Sequence, residues 1–150
     1  MPLLAFLPSP PQTGSMSLVS MQRVKFFMRH LLGVFFVFAG INHFLKPDMY
    51  VALMPPFLPA PLFLVYASGV AEIVSGALLF IPRFARLGAW GVFATLIAVY
   101  PANIYHAVVG GISDPALPET FANPAMAWGR LPIQFVLLAW AWWHTTPEKK

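Results

Sequence analysis

The sequence contains no cysteine. Disulfides, CxxC thiol chemistry, iron–sulfur clusters and thiolate-bound zinc or haem are excluded on that ground. Charge is scarce as well. Nine Lys or Arg and five Asp or Glu make up 9% of the 150 residues, whereas 59% are hydrophobic. An ordinary soluble domain is about 25% charged. So few charges could not cover the surface of a soluble globule. No nucleophile–base pair, phosphate loop or dinucleotide fingerprint is present, so a self-contained hydrolase is not expected. The net charge of +4 comes from basic residues scattered along the whole chain, which speaks against a nucleic-acid partner.

What is abundant is apolar sequence in blocks, which predicts an integral membrane protein in contact with lipid. Four spans are expected, at about 26–45, 62–81, 87–109 and 125–144. They define an all-α fold, a four-helix up-down membrane bundle in the segment 23–146. Residues 1–22 hold four prolines and no charge. They lack the charged start and long apolar core of a signal peptide and are expected to form a disordered tail, as is 147–150. Met16 and Met21 are alternative starts within that tail. The segment 47–61 carries five prolines among apolar residues. It is expected as an irregular loop lying on the membrane surface or folded over the bundle. Pro101 falls inside the third span, where a kink is expected. Asn123-Pro124 reads as a cap followed by proline at the first helical position.

The polar residues within the spans concentrate at one depth. Asn42 and His43 end the first span, Tyr66, Ser68 and Glu72 lie in the second, Asn103 and His106 in the third, and Arg130 and Gln134 in the fourth. All belong to the half that the basic-residue count makes the outer one. These nine residues form the candidate ligand site, for a polar head group, a quinone or a proton. Glu72 cannot face lipid cheaply and must point inward. Asn103, Arg130, Gln134 and the histidines are at the right depth to meet it, and Arg130, Asn103 or Gln134 is the expected partner. The same groups could instead lock the helices together as a structural cluster. His43 with His106, and His30 with His144, could face each other as in a bis-histidine haem site. With four histidines and no further ligand pattern, neither haem nor a metal is expected. Six glycines, Gly33, Gly40, Gly69, Gly76, Gly88 and Gly91, are expected to permit close helix contact.

The run Ala39-Gly40-Ile41-Asn42-His43-Phe44-Leu45-Lys46-Pro47 resembles the AGxxHFxxP element of DoxX-like membrane proteins. Met54-Pro55-Pro56, Tyr66-Ala67-Ser68-Gly69-Val70-Ala71-Glu72, Tyr100-Pro101-Ala102-Asn103-Ile104-Tyr105 and Arg130-Leu131-Pro132-Ile133-Gln134 extend the resemblance over about residues 29–144. It implies a four-helix protein of the bacterial inner membrane. Some DoxX-type proteins are subunits of thiosulfate:quinone oxidoreductase and others are linked to redox-stress complexes. The expected function is therefore a membrane subunit of a quinone-linked redox complex, with a protein partner or a homo-oligomer. A non-enzymatic scaffold is the alternative. A small transporter or proton pathway through Glu72 is a third reading, weakened by an inner half that is nearly free of polar groups.

Seven Lys or Arg flank one side of the expected spans (Arg23, Lys25, Arg29, Arg83, Arg86, Lys149, Lys150), and Lys46 and Arg130 lie on the other. This bias places both termini in the cytoplasm. Reporter fusions at Lys150 and within 112–123 should report opposite compartments. The same compartment for both would contradict four spans.

Overall fold

The computed structural model describes residues 13–146, and side-chain surroundings from Ser20 onward. The expected tail residues 1–12 and 147–150 lie outside that range. Among the described residues the chain is helical and has no strand. The helices are α1 (Thr13–Leu45), α2 (Pro47–Ala52), α3 (Pro61–Leu78), α4 (Ala85–Val108) and α5 (Pro124–Thr145), with a 3-10 turn at Glu119–Ala122. Three are long and apolar enough to cross a membrane: Ser20–Leu45 within α1, then α3 and α4. The fourth expected span coincides with α5, which has 22 residues but is not among these three. Arg130, Pro132 and Gln134 dilute its first half.

Two boundaries depart from the sequence reading. Helix α1 begins at Thr13, not near residue 26, so 13–22 is helical and not part of a tail. No proline or glycine pair separates the polar start from the apolar core, and the helix runs through. The expected irregular loop 47–61 contains helix α2, started by Pro47 at its first position with Asp48 in its first turn. Both residues suit a helix N-terminus, proline for its fixed φ and aspartate for the dipole. Leu53 and Pro55 are buried, so this segment folds over the helices. Pro101 and Pro132 sit within continuous helices α4 and α5. Asn123 caps α5 as expected, its side chain accepting from the Ala125 N–H at 2.9 Å.

Helix α1 packs on α3, α3 on α4 and α4 on α5, while α5 touches α1 more thinly. Glycines determine how close the first pair comes. A Cβ on Gly33 would lie 2.9 Å from the Gly76 carbonyl oxygen, and one on Gly76 would lie 2.9 Å from that of Gly33. Seven residues further along α1, a Cβ on Gly40 would lie 2.6 Å from the Gly69 carbonyl oxygen. The pairing Gly33–Gly76 and Gly40–Gly69 makes the helices antiparallel and brings their backbones into direct contact. Gly88 plays the same part between α4 and α3, where a Cβ would meet the Ser75 carbonyl oxygen at 2.7 Å.

The apolar core is Leu32, Phe36, Leu79, Ala89, Val92, Leu96, Leu138 and Ala141. It fills the end of the molecule that carries the short α3–α4 turn. The buried polar side chains His43, Glu72, His106 and Gln134 lie toward the opposite end. Outward faces are apolar, with Phe38 and Phe63 each 70% exposed, as lipid contact requires.

Gly40→Ala should destabilise the protein by about 1–3 kcal/mol, the usual cost of overpacking. At Gly129 a Cβ meets nothing within 4 Å, so Gly129→Ala should be neutral or slightly stabilising. Thermal unfolding in detergent compares the two. Equal stability would mean that α1 and α3 do not touch through backbone.

Candidate functional site

The close approach of α1 to α3 carries His43 onto α3. A Cβ on Gly69 would meet the His43 Cβ at 2.8 Å, so only glycine leaves room there. The His43 Nδ1 is 2.9 Å from the Val65 carbonyl oxygen and 3.0 Å from Ser68 Oγ. A carbonyl can only accept, so Nδ1 carries a proton and donates it. The Ser68 hydroxyl also donates to the Val65 carbonyl, at 2.9 Å. The opposite ring nitrogen, Nε2, points at Glu72 Oε2 across 3.6 Å. This gap is wider than a closed hydrogen bond. Oε2 is buried and has no hydrogen-bond partner among the described residues. A single proton placed between Nε2 and the carboxyl would serve both groups.

Tyr50 of α2 completes this side. Its ring lies against the His43 imidazole, with centroids 3.7 Å apart. The Asn42 amide donates to the Tyr50 hydroxyl at 2.9 Å, which leaves the phenol's own proton to donate elsewhere. Burial raises the Tyr50 phenol above its ordinary value and the Glu72 charge adds to this, while the Asn42 bond and the Arg130 charge oppose it. The phenol is therefore protonated at neutral pH.

Across from it, α4 and α5 hold a second polar set. Asn103 donates to Gln134 Oε1 at 2.8 Å, and Gln134 Nε2 donates to the Leu96 carbonyl at 2.7 Å. Both ends of the Gln134 amide are thus used within the fold. His106 Nε2 pairs with the Phe121 carbonyl at 2.8 Å. Gly111, at φ +100°, turns the chain so that the Ile112 N–H also reaches Phe121 O, at 2.9 Å. Arg130 lies 5.1 Å from the Phe121 ring centroid, and its Nη1 is buried without a hydrogen-bond partner among the described residues.

The nine candidate residues therefore separate. His43, Ser68 and Glu72 form one contact chain, joined to Asn42 through Tyr50. Arg130 lies against Phe121 and outside this chain. Asn103, Gln134 and His106 are occupied with the α4–α5 contact and the loop above it. Tyr66 stacks on Phe44 at 5.2 Å. The expected pairing of Glu72 with Arg130, Asn103 or Gln134 is not what forms, and His43 is the near neighbour. Depth in a span sets a side chain's height but not the direction it faces. The two histidines have separate partners, and no group of three or more His, Asp or Glu among the described residues is arranged to hold a metal. Tyr50 and Phe121 are not in the sequence-derived set. Lys46-Pro47-Asp48 held a readable signal for the helix that positions Tyr50. Nothing in the sequence singles out Phe121.

No curated protein and no solved structure matches the chain. Residues 32–145 match a family described as a domain of unknown function, DUF8561. That match overturns the DoxX-like resemblance, and the thiosulfate:quinone oxidoreductase and redox-stress associations fall with it. Short runs such as Ala39–Pro47 are built from glycine, proline and aromatic residues that any closely packed set of membrane helices reuses. The matched segment begins within α1 and ends with the last residue of α5. The chain belongs to the DUF8561 family.

Proposed function

We propose that this is a four-helix membrane protein in which α5 is the fourth span, with both termini on the cytoplasmic side of a bacterial inner membrane. The length of α5, its packing along α4 and its exposed Ile133, Phe135 and Val136 support the fourth span. The seven-to-two bias of basic residues supports the orientation. Its function on this reading is to bind the head group of a quinone in the outer half of the bundle.

One observation carries the proposal. Arg130 Nη1 is buried and has no hydrogen-bond partner among the described residues. A buried donor left unpaired costs about 1–3 kcal/mol, so Arg130 calls for an acceptor on a ligand. A quinone ring has carbonyl oxygens at opposite ends. Arg130 and the Tyr50 hydroxyl can donate to these, and the aromatic rings of Tyr50 and Phe121 offer faces for the flat head group. The His43–Glu72 pair supplies a place for a proton beside it. A scaffold role is the second reading, favoured by the closed Asn103–Gln134–Leu96 chain.

The test titrates purified protein in nanodiscs with a short-chain quinone, following tryptophan fluorescence. Arg130→Gln should weaken binding about tenfold or more, the worth of a hydrogen bond to a charged group. Glu72→Gln should leave thermal stability nearly unchanged. Gln134→Leu should lower stability, by about 1–3 kcal/mol for the groups it strands. Absence of binding, or an affinity equal to wild type in Arg130→Gln, would dismiss the quinone site and leave the scaffold.

A further inference from the structure

The register between α4 and α5 decides which side chains meet at the outer end of their interface. Trp90 packs on Trp142, Tyr100 on Phe135, and Asn103 donates to Gln134 at 2.8 Å. The numbers rise on α4 as they fall on α5, so the two helices run antiparallel. His106 lies three residues beyond Asn103, and Arg130 lies four residues before Gln134. Those spacings keep each pair on one helix face. The Asn103–Gln134 bond therefore sets His106 and Arg130 against the same level of the interface, one turn further out. Phe121 meets both of them there. The His106 ring stacks on it with centroids 5.7 Å apart, and the Arg130 guanidinium lies 5.1 Å from its centre.

The two side chains bring opposite hydrogen-bonding capacities to that level. His106 is 1% exposed. Its Nε2 is 2.8 Å from the Phe121 carbonyl oxygen, which also accepts the Ile112 N–H at 2.9 Å. A carbonyl can only accept, so Nε2 carries the proton and the neutral ring keeps a lone pair on Nδ1. That Nδ1 is buried without a hydrogen-bond partner among the described residues, as is Arg130 Nη1. One is an acceptor and the other a donor. A hydroxyl group satisfies both at once, its oxygen accepting from Arg130 and its O–H donating to His106. A carbonyl oxygen satisfies Arg130 alone and sets a second acceptor against Nδ1, which stays buried and unpaired.

We propose that the outer site prefers the quinol, the hydroxyl-bearing form of the head group, and that His106 Nδ1 selects it by accepting the hydroxyl hydrogen. This rests on the quinone-site reading above and specifies which form of the ring the site holds best. His106 then has two separate tasks. Its Nε2 fastens the Glu119–Ala122 turn through Phe121, and its Nδ1 reads the ligand.

Calorimetric titration of the full chain in lipid nanodiscs, under argon, compares duroquinol with duroquinone. Duroquinol should bind about tenfold tighter, the difference between a buried acceptor that is paired and one that is not. Arg130→Gln should weaken both compounds. His106→Gln retains an amide N–H for the Phe121 carbonyl and removes Nδ1. It should lower the affinity for duroquinol to that for duroquinone and leave duroquinone unchanged. The 15N resonance of His106 Nδ1 reads the same contact without a substitution, and duroquinol should shift it where duroquinone does not. Equal affinities in the wild type, a preference that survives His106→Gln, or an Nδ1 resonance indifferent to duroquinol would overturn the proposal and leave the quinone site standing. Binding of neither compound would overturn both. Binding of duroquinol alone would uphold the quinol and dismiss the quinone.

Discussion

The contact between α1 and α3 through four glycines is the constraint on which the rest of the structure depends. Without hydrophobic drive between helices in lipid, association relies on close van der Waals packing and hydrogen bonds across the interface. The Gly33–Gly76 and Gly40–Gly69 pairs remove the side chains that would hold the backbones apart. The approach they allow brings His43 of α1 within 2.9 Å of the Val65 carbonyl on α3. That bond sets which imidazole nitrogen holds the proton, and so which nitrogen faces Glu72. A packing device made of absent side chains thereby decides the chemistry of a residue on the neighbouring helix.

The two ends of the molecule are built differently. One end has a dense apolar core with small residues, Ala89 and Ala141, at its centre. The other has polar groups of two kinds. Asn103 and Gln134 satisfy one another and the backbone, which suits a structural role, while His106 uses one ring nitrogen on the Phe121 carbonyl and keeps Nδ1 buried without a partner among the described residues. Glu72 and Arg130 keep buried atoms unpaired. Buried polar atoms without partners are uncommon in folded proteins, so the unpaired Arg130 Nη1 argues for a ligand and the closed Asn103–Gln134 pair for a clamp.

Much of this was readable from composition and spacing. Apolar blocks locate α3, α4 and the apolar part of α1 because membrane spans are long and carry few charges. The glycine spacing points to close contact because small residues have few other reasons to recur there. Asn123-Pro124 announces the start of α5. Partner identity was less legible. Glu72, Asn103 and Arg130 share a depth, but the rotation of each helix about its axis decides which of them meet, and packing of all the helices sets that rotation. Tyr50 enters the site from a short helix inside a proline-rich segment, where proline reads equally as a loop signal. The DoxX-like resemblance failed for a related reason. Its motifs were short runs of residues that membrane helices use for packing, whereas the DUF8561 match spans residues 32–145 as a whole.

The central claim is that backbone contact between α1 and α3 locks His43 with Nδ1 protonated and Nε2 turned to Glu72. The 15N spectrum of the His43 imidazole in lipid nanodiscs measures this directly. The account predicts one fixed form, with the proton on Nδ1 and an Nε2 resonance that moves when Glu72 is changed to Gln. A ring averaging between its two neutral forms, or an Nε2 resonance indifferent to Glu72→Gln, would contradict it.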